Sequence, residues 1–191
     1  PIGPGHPPYV VAEMSGNHNG DLGRAMALME AAAEAGATAV KLQTYTADTI
    51  TIDHDGPEFV IKGGLWDGRR LYDLYDEAHT PWDWHKQIFE RCNQLDLLCF
   101  STPFDETAVD LLEDLNIPAY KVASFEITDI PLIEYIAEKQ KPIIMSTGIA
   151  LYDDIKLAVE TCRKVGNNNI TILKCTSSYP APIEEANLLM M

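Results

Sequence analysis

LLCFSTPFDETAVDLLEDLNIPAYKVAS, Leu97 to Ser124, contains the unit on which the fold turns. Leu97-Leu-Cys-Phe-Ser101 is a short continuous apolar run, Glu106 to Leu115 places apolar residues at helical spacing, and Ala119-Tyr-Lys-Val-Ala123 is a second apolar run. Apolar runs without alternation are the pattern of strands buried on both faces. A strand, a helix and a strand in succession imply a right-handed crossover and a parallel pair. Both runs end in polar residues: Ser101 and Thr102 after the first, Ser124 and Glu126 after the second.

The same unit repeats on either side. Tyr9-Val-Val-Ala-Glu13, Ala39-Val-Lys-Leu-Gln43, Pro142-Ile-Ile-Met-Ser146 and Ile170-Thr-Ile-Leu-Lys174 read as four more strands. Helical patterns cover Leu22 to Ala35, capped by Asp21 and stopped by Gly36, then Ile130 to Lys139 and Asp154 to Val165. Another helix starts at Thr80-Pro-Trp-Asp83, with Thr80 as cap and Pro81 in the first helical position. The fold class this predicts is α/β, a (β/α)8 TIM barrel cut after about six strands. A complete barrel takes roughly 250 residues, and this chain has 191, read as a single domain over 1–191. Pro1 to Pro8 form an irregular lead-in. The connection from Thr44 to Thr80 far exceeds the roughly 2–6 residues of an ordinary βα loop, so it reads as a lid or binding segment, partly ordered at Gly63-Gly-Leu-Trp66 and Leu71 to Asp76.

A hydrophobic content of 46% supplies a sizeable core, and a net charge of -15 argues against nucleic acid or an anionic membrane as partner. Cys92, Cys99, Cys162 and Cys175 lack CxxC spacing and sit in apolar elements, the pattern of buried free thiols in a reducing cytoplasm. No apolar stretch approaches ~20 residues and no charged-then-apolar leader is visible, so neither a membrane span nor a signal peptide is expected.

Barrels of this kind carry their chemistry at the carboxyl ends of the strands. Here those ends present Glu13, Asn17, His18, Lys41, Gln43, Thr102, Lys121, Ser124, Glu126, Ser146, Lys174 and Ser177. A lysine inside an apolar strand needs an anionic partner. For Lys41, Lys121 and Lys174 that partner is either a barrel glutamate or an anionic ligand, a phosphate or carboxylate. Hydroxyls recur at four strand ends, in Ser101-Thr-Pro-Phe104, Ser124, Ser146-Thr-Gly148 and Thr176-Ser-Ser178. Singly they read as caps, and together as anion donors. Glu13 and Glu126 are either proton-transfer groups or structural partners of the lysines. His18 alone reads as a hydrogen-bonded loop residue, His79 and His85 as structural or lid residues. No HxH, HxxxH or HExxH spacing occurs, so no metal site is expected from the residues.

Val11-Ala-Glu-Met-Ser-Gly-Asn-His-Asn-Gly20, Lys41-Leu-Gln-Thr44, Ser101-Thr-Pro-Phe-Asp105, Lys121-Val-Ala-Ser-Phe-Glu126, Met145-Ser-Thr-Gly148 and Lys174-Cys-Thr-Ser-Ser-Tyr-Pro180 together resemble, in order, the sialic acid synthase family of nonulosonate synthases. Ile61-Lys-Gly-Gly-Leu-Trp-Asp67, Leu71-Tyr-Asp-Leu-Tyr-Asp76 and His79-Thr-Pro-Trp-Asp-Trp-His85 look most like its pseudaminic branch. The resemblance implies condensation of phosphoenolpyruvate with an open-chain N-acetylated amino sugar, here 2,4-diacetamido-2,4,6-trideoxy-altrose, with release of phosphate. It assigns the phosphoenolpyruvate carboxylate to Lys41, Thr102 and Ser124, and the phosphate to Lys121, Ser146 and Ser177. Glu13 and Glu126 take the water and proton steps; Asn17, His18, Gln43 and Tyr179 take the sugar. It also implies a divalent metal, Mn²⁺ or Mg²⁺, on two histidines beyond Met191, and a homodimer whose C-terminal antifreeze-like domain reaches over the sugar of the partner. Tight metal binding by these 191 residues is therefore not expected, and turnover is expected to be slow or absent. Ser177 stands where the sialic acid branch has asparagine, which points to a different sugar or different phosphate contacts.

Two other readings fit the residues. A Schiff-base aldolase would use Lys121 or Lys174 as nucleophile. A non-catalytic binding module would keep only the anion cradle.

Overall fold

The computed structural model describes residues 5–178 and 181–190. They fall into two compact units, Pro1–Ala108 and Val109–Met191, taken here in turn. The expected strand-helix repeat runs through both.

In the first unit, β1 (Val11–Glu13), β2 (Ala39–Thr44) and β3 (Leu98–Pro103) form parallel ladders in that order. The register pairs Glu13 with Lys41 and Gln43 with Thr102. Residues opposite each other in a ladder share a face, as do residues two apart on one strand. Glu13, Lys41, Gln43 and Thr102 therefore line one face. The other face, with Val40, Leu42 and Cys99, packs on Ala25 and Met29 of α1 (Leu22–Glu34) and on Ile88 and Cys92 of α4 (Trp82–Gln94). The Asp21 carboxylate caps α1 as expected, accepting the Arg24 N–H at 2.6 Å.

Thr80 does not cap α4. The helix begins after Pro81 without a side-chain cap, and the Thr80 hydroxyl bonds His18 Nε2 at 3.2 Å instead. A nearby imidazole competed for the hydroxyl, which the local pattern could not show.

Between β2 and α4 lie the short α2 (Ala47–Ile50), two 3-10 turns and α3 (Leu71–Ala78). Arg70 organises this stretch. Its guanidinium donates to Asp53 at 2.9 Å, Asp55 at 2.5 Å and Asp73 at 2.6 Å, and its backbone forms a bridge with Val60. Beyond that root, Leu65 is 91% exposed and Trp66 48%.

The second unit holds β4 (Tyr120–Val122), β5 (Ile143–Ser146) and β6 (Ile170–Leu173), also parallel in order, with α6 (Ile130–Glu138) and α7 (Tyr152–Lys164) between them; α5 (Glu106–Asp114) leads into it. Its core buries Tyr120, Val122, Ile133, Ile136, Ile143, Met145, Ala158 and Cys162. Each fully buried Ile or Met contributes about 1.5–3 kcal/mol by leaving water. Helix α7 starts at Tyr152, two residues before the expected Asp154, whose carboxylate accepts the Leu151 N–H at 2.8 Å. The acid caps from inside the first turn.

All four cysteines are free; Cys92, Cys99 and Cys162 are buried as expected, while Cys175 is only half-buried. Among the described residues no helix is long and apolar enough to cross a membrane.

Candidate functional site

At the strand ends of the first unit, Lys41 and Glu13 form an ion pair, with the lysine side chain 16% exposed. The structural partner considered for Lys41 is thus present. Gln43 accepts a long hydrogen bond from the Ser15 hydroxyl at 3.5 Å. The Thr102 hydroxyl on the same face is buried and has no hydrogen-bond partner among the described residues. A buried, unsatisfied hydroxyl loses its hydration without recovering it, so it is a ready contact for a ligand oxygen.

Ser101 turns the other way, into a buried polar chain that sequence reasoning missed. Ser101 Oγ bonds Thr44 Oγ1 at 2.6 Å, Thr44 Oγ1 bonds His85 Nε2 at 2.8 Å, and His85 Nδ1 meets the Pro81 carbonyl at 3.2 Å. Donation from Nδ1 to that carbonyl leaves Nε2 to accept from Thr44. Burial pushes the His85 pKa down to about 4, against an upward pull from the Pro81 and Trp82 carbonyls, so the ring is neutral. One signal was available: His85, Ile88 and Cys92 share a helical stripe, and an imidazole on an otherwise apolar stripe needs a polar partner across it.

The loop after β1 is built on His18. Its ring is fully buried, accepts the Gly20 N–H at Nδ1 (3.1 Å), donates from Nε2 to Thr80 and stands edge-on to Trp84 at 5.5 Å. Burial, then His79, holds its pKa below the usual histidine value. With both nitrogens engaged, His18 anchors the loop. Asn17 is exposed and donates to the Met14 carbonyl at 2.9 Å.

In the second unit, Lys121 is buried, and its ammonium donates to the Val122 carbonyl at 2.6 Å and to Ser146 Oγ at 2.5 Å. Glu126 follows two residues after Ser124. Its Oε2 is buried without a hydrogen-bond partner among the described residues. Burial pushes the carboxyl above its usual range and Asp129 adds to this, while its own backbone and Lys121 pull it down. Ser124 Oγ accepts the Gly148 N–H at 3.2 Å. Ser177 is exposed and lies against Gly148. Gly148, Lys174, Thr176, Ser177, Ser178 and Glu185 line an open cleft of about 420 Å³. Lys174 turns its ammonium to the Cys175 carbonyl at 2.8 Å and to Thr176 Oγ1 at 3.4 Å. Tyr179 lies outside the described residues.

The described residues do not fit a divalent metal: no group of three or more His, Cys, Asp or Glu side chains converges among them. Glu13 is committed to Lys41 and Glu126 stands beside Lys121.

Each unit thus brings a lysine, a hydroxyl and a carboxylate to its strand ends. The profile of the NeuB family matches residues 28–191. The chain belongs to the NeuB family. Among its NeuB relatives, the pseudaminic acid synthase of Helicobacter pylori is 52% identical over 185 residues, covering 97% of this chain and 54% of the relative. That of Campylobacter jejuni is 46% identical over 180 residues, covering 94% and 52%. The chain spans about half the length of these curated relatives. The solved N-acetylneuraminic acid synthetase of Leptospira borgpetersenii, in complex with citrate, matches 95% of this chain and 59% of its own at a TM-score of 0.83 and 29% identity. The fold is accordingly a TIM barrel of the NeuB type, represented by six of its strands, as the strand-helix repeat led us to expect.

Proposed function

We propose that this chain carries the phosphoenolpyruvate-handling part of a pseudaminic acid synthase, which joins phosphoenolpyruvate to 2,4-diacetamido-2,4,6-trideoxy-altrose and releases phosphate. The observation that carries the reading is the second unit's buried Lys121, bonded to Ser146, with Glu126 beside it holding an unpartnered carboxylate oxygen. Such a group suits a trianionic ligand that needs a cation, hydroxyl donors and a proton source. The likeness to the two pseudaminic acid synthases supports the choice of sugar.

In the proposed reaction, C3 of phosphoenolpyruvate attacks the sugar aldehyde, forming the new C–C bond while the aldehyde oxygen takes a proton. Water then adds at C2 and loses one proton, and the tetrahedral intermediate passes its remaining hydroxyl proton to the departing phosphate as the C–O bond breaks, leaving a ketone. Lys121, Ser146 and Ser177 hold the phosphate in this scheme; Lys41, Thr102 and Ser124 hold the carboxylate. Glu126, with its raised pKa, is suited to give the proton to the aldehyde oxygen. Glu13, ion-paired to Lys41, is suited to accept one from the attacking water. Gln43 and Asn17, both at the strand-end side of the first unit, are left to meet the sugar, as is Tyr179. The family's divalent metal would act as a Lewis acid on the aldehyde oxygen. We also place the protein in the cytoplasm, a setting that suits its free thiols, and as a homodimer by the family resemblance.

Lys121 donates to a carbonyl and a hydroxyl oxygen, which suits a bound cation better than the free amine that a Schiff-base aldolase needs. The test is Mn²⁺-dependent phosphate release from phosphoenolpyruvate with the diacetamido-altrose sugar, its legionaminic counterpart or N-acetylmannosamine. Release with the altrose sugar alone is expected of the protein that carries this chain. Release with another sugar only would move it to a sister branch, and a borohydride-trapped pyruvate adduct would make it an aldolase. Binding of phosphoenolpyruvate without release would leave a binding module.

A further inference from the structure

Three successive strand ends of the second unit close around a side chain that is not there. Gly148 follows β5, Ser124 follows β4 and Ser177 follows β6. The Gly148 N–H donates to Ser124 Oγ at 3.2 Å. A Cβ placed on Gly148 would stand 2.9 Å from Ser124 Oγ and 3.2 Å from Ser177 Cβ, and would overlap Ser177 Oγ outright. Gly148 does not occupy the left-handed backbone region, where glycine is favoured for conformational reasons, unlike Gly166 at φ +89 nearby in sequence. What a side chain here would meet is therefore the two serine side chains rather than a backbone constraint. The space is used by two hydroxyls, and Ser146, two residues earlier, holds the Lys121 ammonium.

We infer that Gly148 is a positioning residue of the anion site: the absence of its side chain lets Ser124 and Ser177 converge, and so sets the spacing between a hydroxyl assigned to the carboxylate of phosphoenolpyruvate and one assigned to its phosphate. This rests on the proposed phosphoenolpyruvate reading and adds to it a residue that touches no ligand itself. Ser177 is exposed at the open cleft, so a methyl at this point displaces its hydroxyl outward, away from Ser124. The backbone itself is not strained by alanine.

The test is calorimetric titration of phosphoenolpyruvate and of inorganic phosphate into the wild-type chain, Gly148→Ala, Ser177→Gly and the double variant, with thermal midpoints recorded for each. Overpacking of this kind weakens the affinity of Gly148→Ala about tenfold or more, while adding Gly148→Ala to Ser177→Gly costs markedly less because the obstructing side chain is gone. The same non-additivity is expected in the midpoints. Wild-type affinity in Gly148→Ala overturns the inference, as does an equal loss in both backgrounds. Should Gly148→Ala alone fail to fold, restored folding in the double variant supports the inference and continued failure overturns it. If the wild-type chain binds neither ligand, the phosphoenolpyruvate reading falls first and the positioning role with it, whereas binding by the wild type with an indifferent Gly148→Ala removes only the latter.

Discussion

Half-buried Glu126 and fully buried His85 are titratable groups whose pKa values move in opposite directions, and each gives the molecule a distinct pH signature. The native state holds the Glu126 proton more tightly than the unfolded chain does. Stability from this group is therefore fully present below the ordinary carboxylate range and is lost as pH rises through the raised pKa. Glu126→Gln removes that loss, so its midpoint should exceed the wild type's by more at pH 8 than at pH 4, while phosphate release falls. An equal offset at both pH values would show that burial does not govern the carboxyl. His85 runs the other way. Its pKa falls from 6.5 to about 4, so its contribution is present above the unfolded value and disappears as pH drops through that window. The full shift is worth about 3 kcal/mol. His85→Gln, which can still bond Thr44, should flatten the loss of stability between pH 6.5 and pH 4 seen by denaturant titration of the wild type. That Lys121 needs a polar partner was legible in the sequence, because an ammonium in an apolar strand cannot be left bare, whereas its bond to Ser146 was not. The His85–Thr44–Ser101 chain was not, since those residues meet only once a helix is laid on the sheet.

At the scale of elements, that polar chain ties α4 to β2 and β3 behind the face bearing Gln43 and Thr102. Thr44→Val keeps the shape of the side chain but leaves His85 Nε2 and the Ser101 hydroxyl without their partner. It should cost about 2–3 kcal/mol in unfolding free energy, and a loss below about 0.5 kcal/mol would mean the chain is incidental. The segment between β2 and α4 depends on Arg70. Arg70→Ala releases Asp53, Asp55 and Asp73 together and should speed limited proteolysis within residues 51–70 while the rest of the chain stays resistant. Unchanged cleavage would place the order of the segment elsewhere. Helix bounds were readable where one residue decides them, as Asp21 does for α1. They were misread where a distant or interior group took part: Thr80 was drawn to His18, and Asp154 caps α7 from within. The partial order around Leu71 was visible as a helical pattern, but Arg70's partners at 53 and 55 lie beyond the reach of local periodicity.

At the scale of the whole molecule, the sequence pattern of six strands each followed by polar residues led directly to the barrel, because apolar runs and helical stripes record burial on two faces. The identity of the ligand is not recorded in that way. It depends on a few oxygens and one ammonium, and on the likeness to the NeuB relatives. Lys121 is the residue on which the proposed phosphoenolpyruvate site leans most, and a methionine keeps the apolar stem in its buried place when the ammonium is removed. The decisive measurement is phosphorus NMR of phosphoenolpyruvate titrated with the wild-type chain and with Lys121→Met, both verified as folded by circular dichroism. The account predicts a saturable change in the phosphorus resonance with the wild type and its loss with Lys121→Met. A resonance unmoved by the wild type, or moved equally by both proteins, would contradict it.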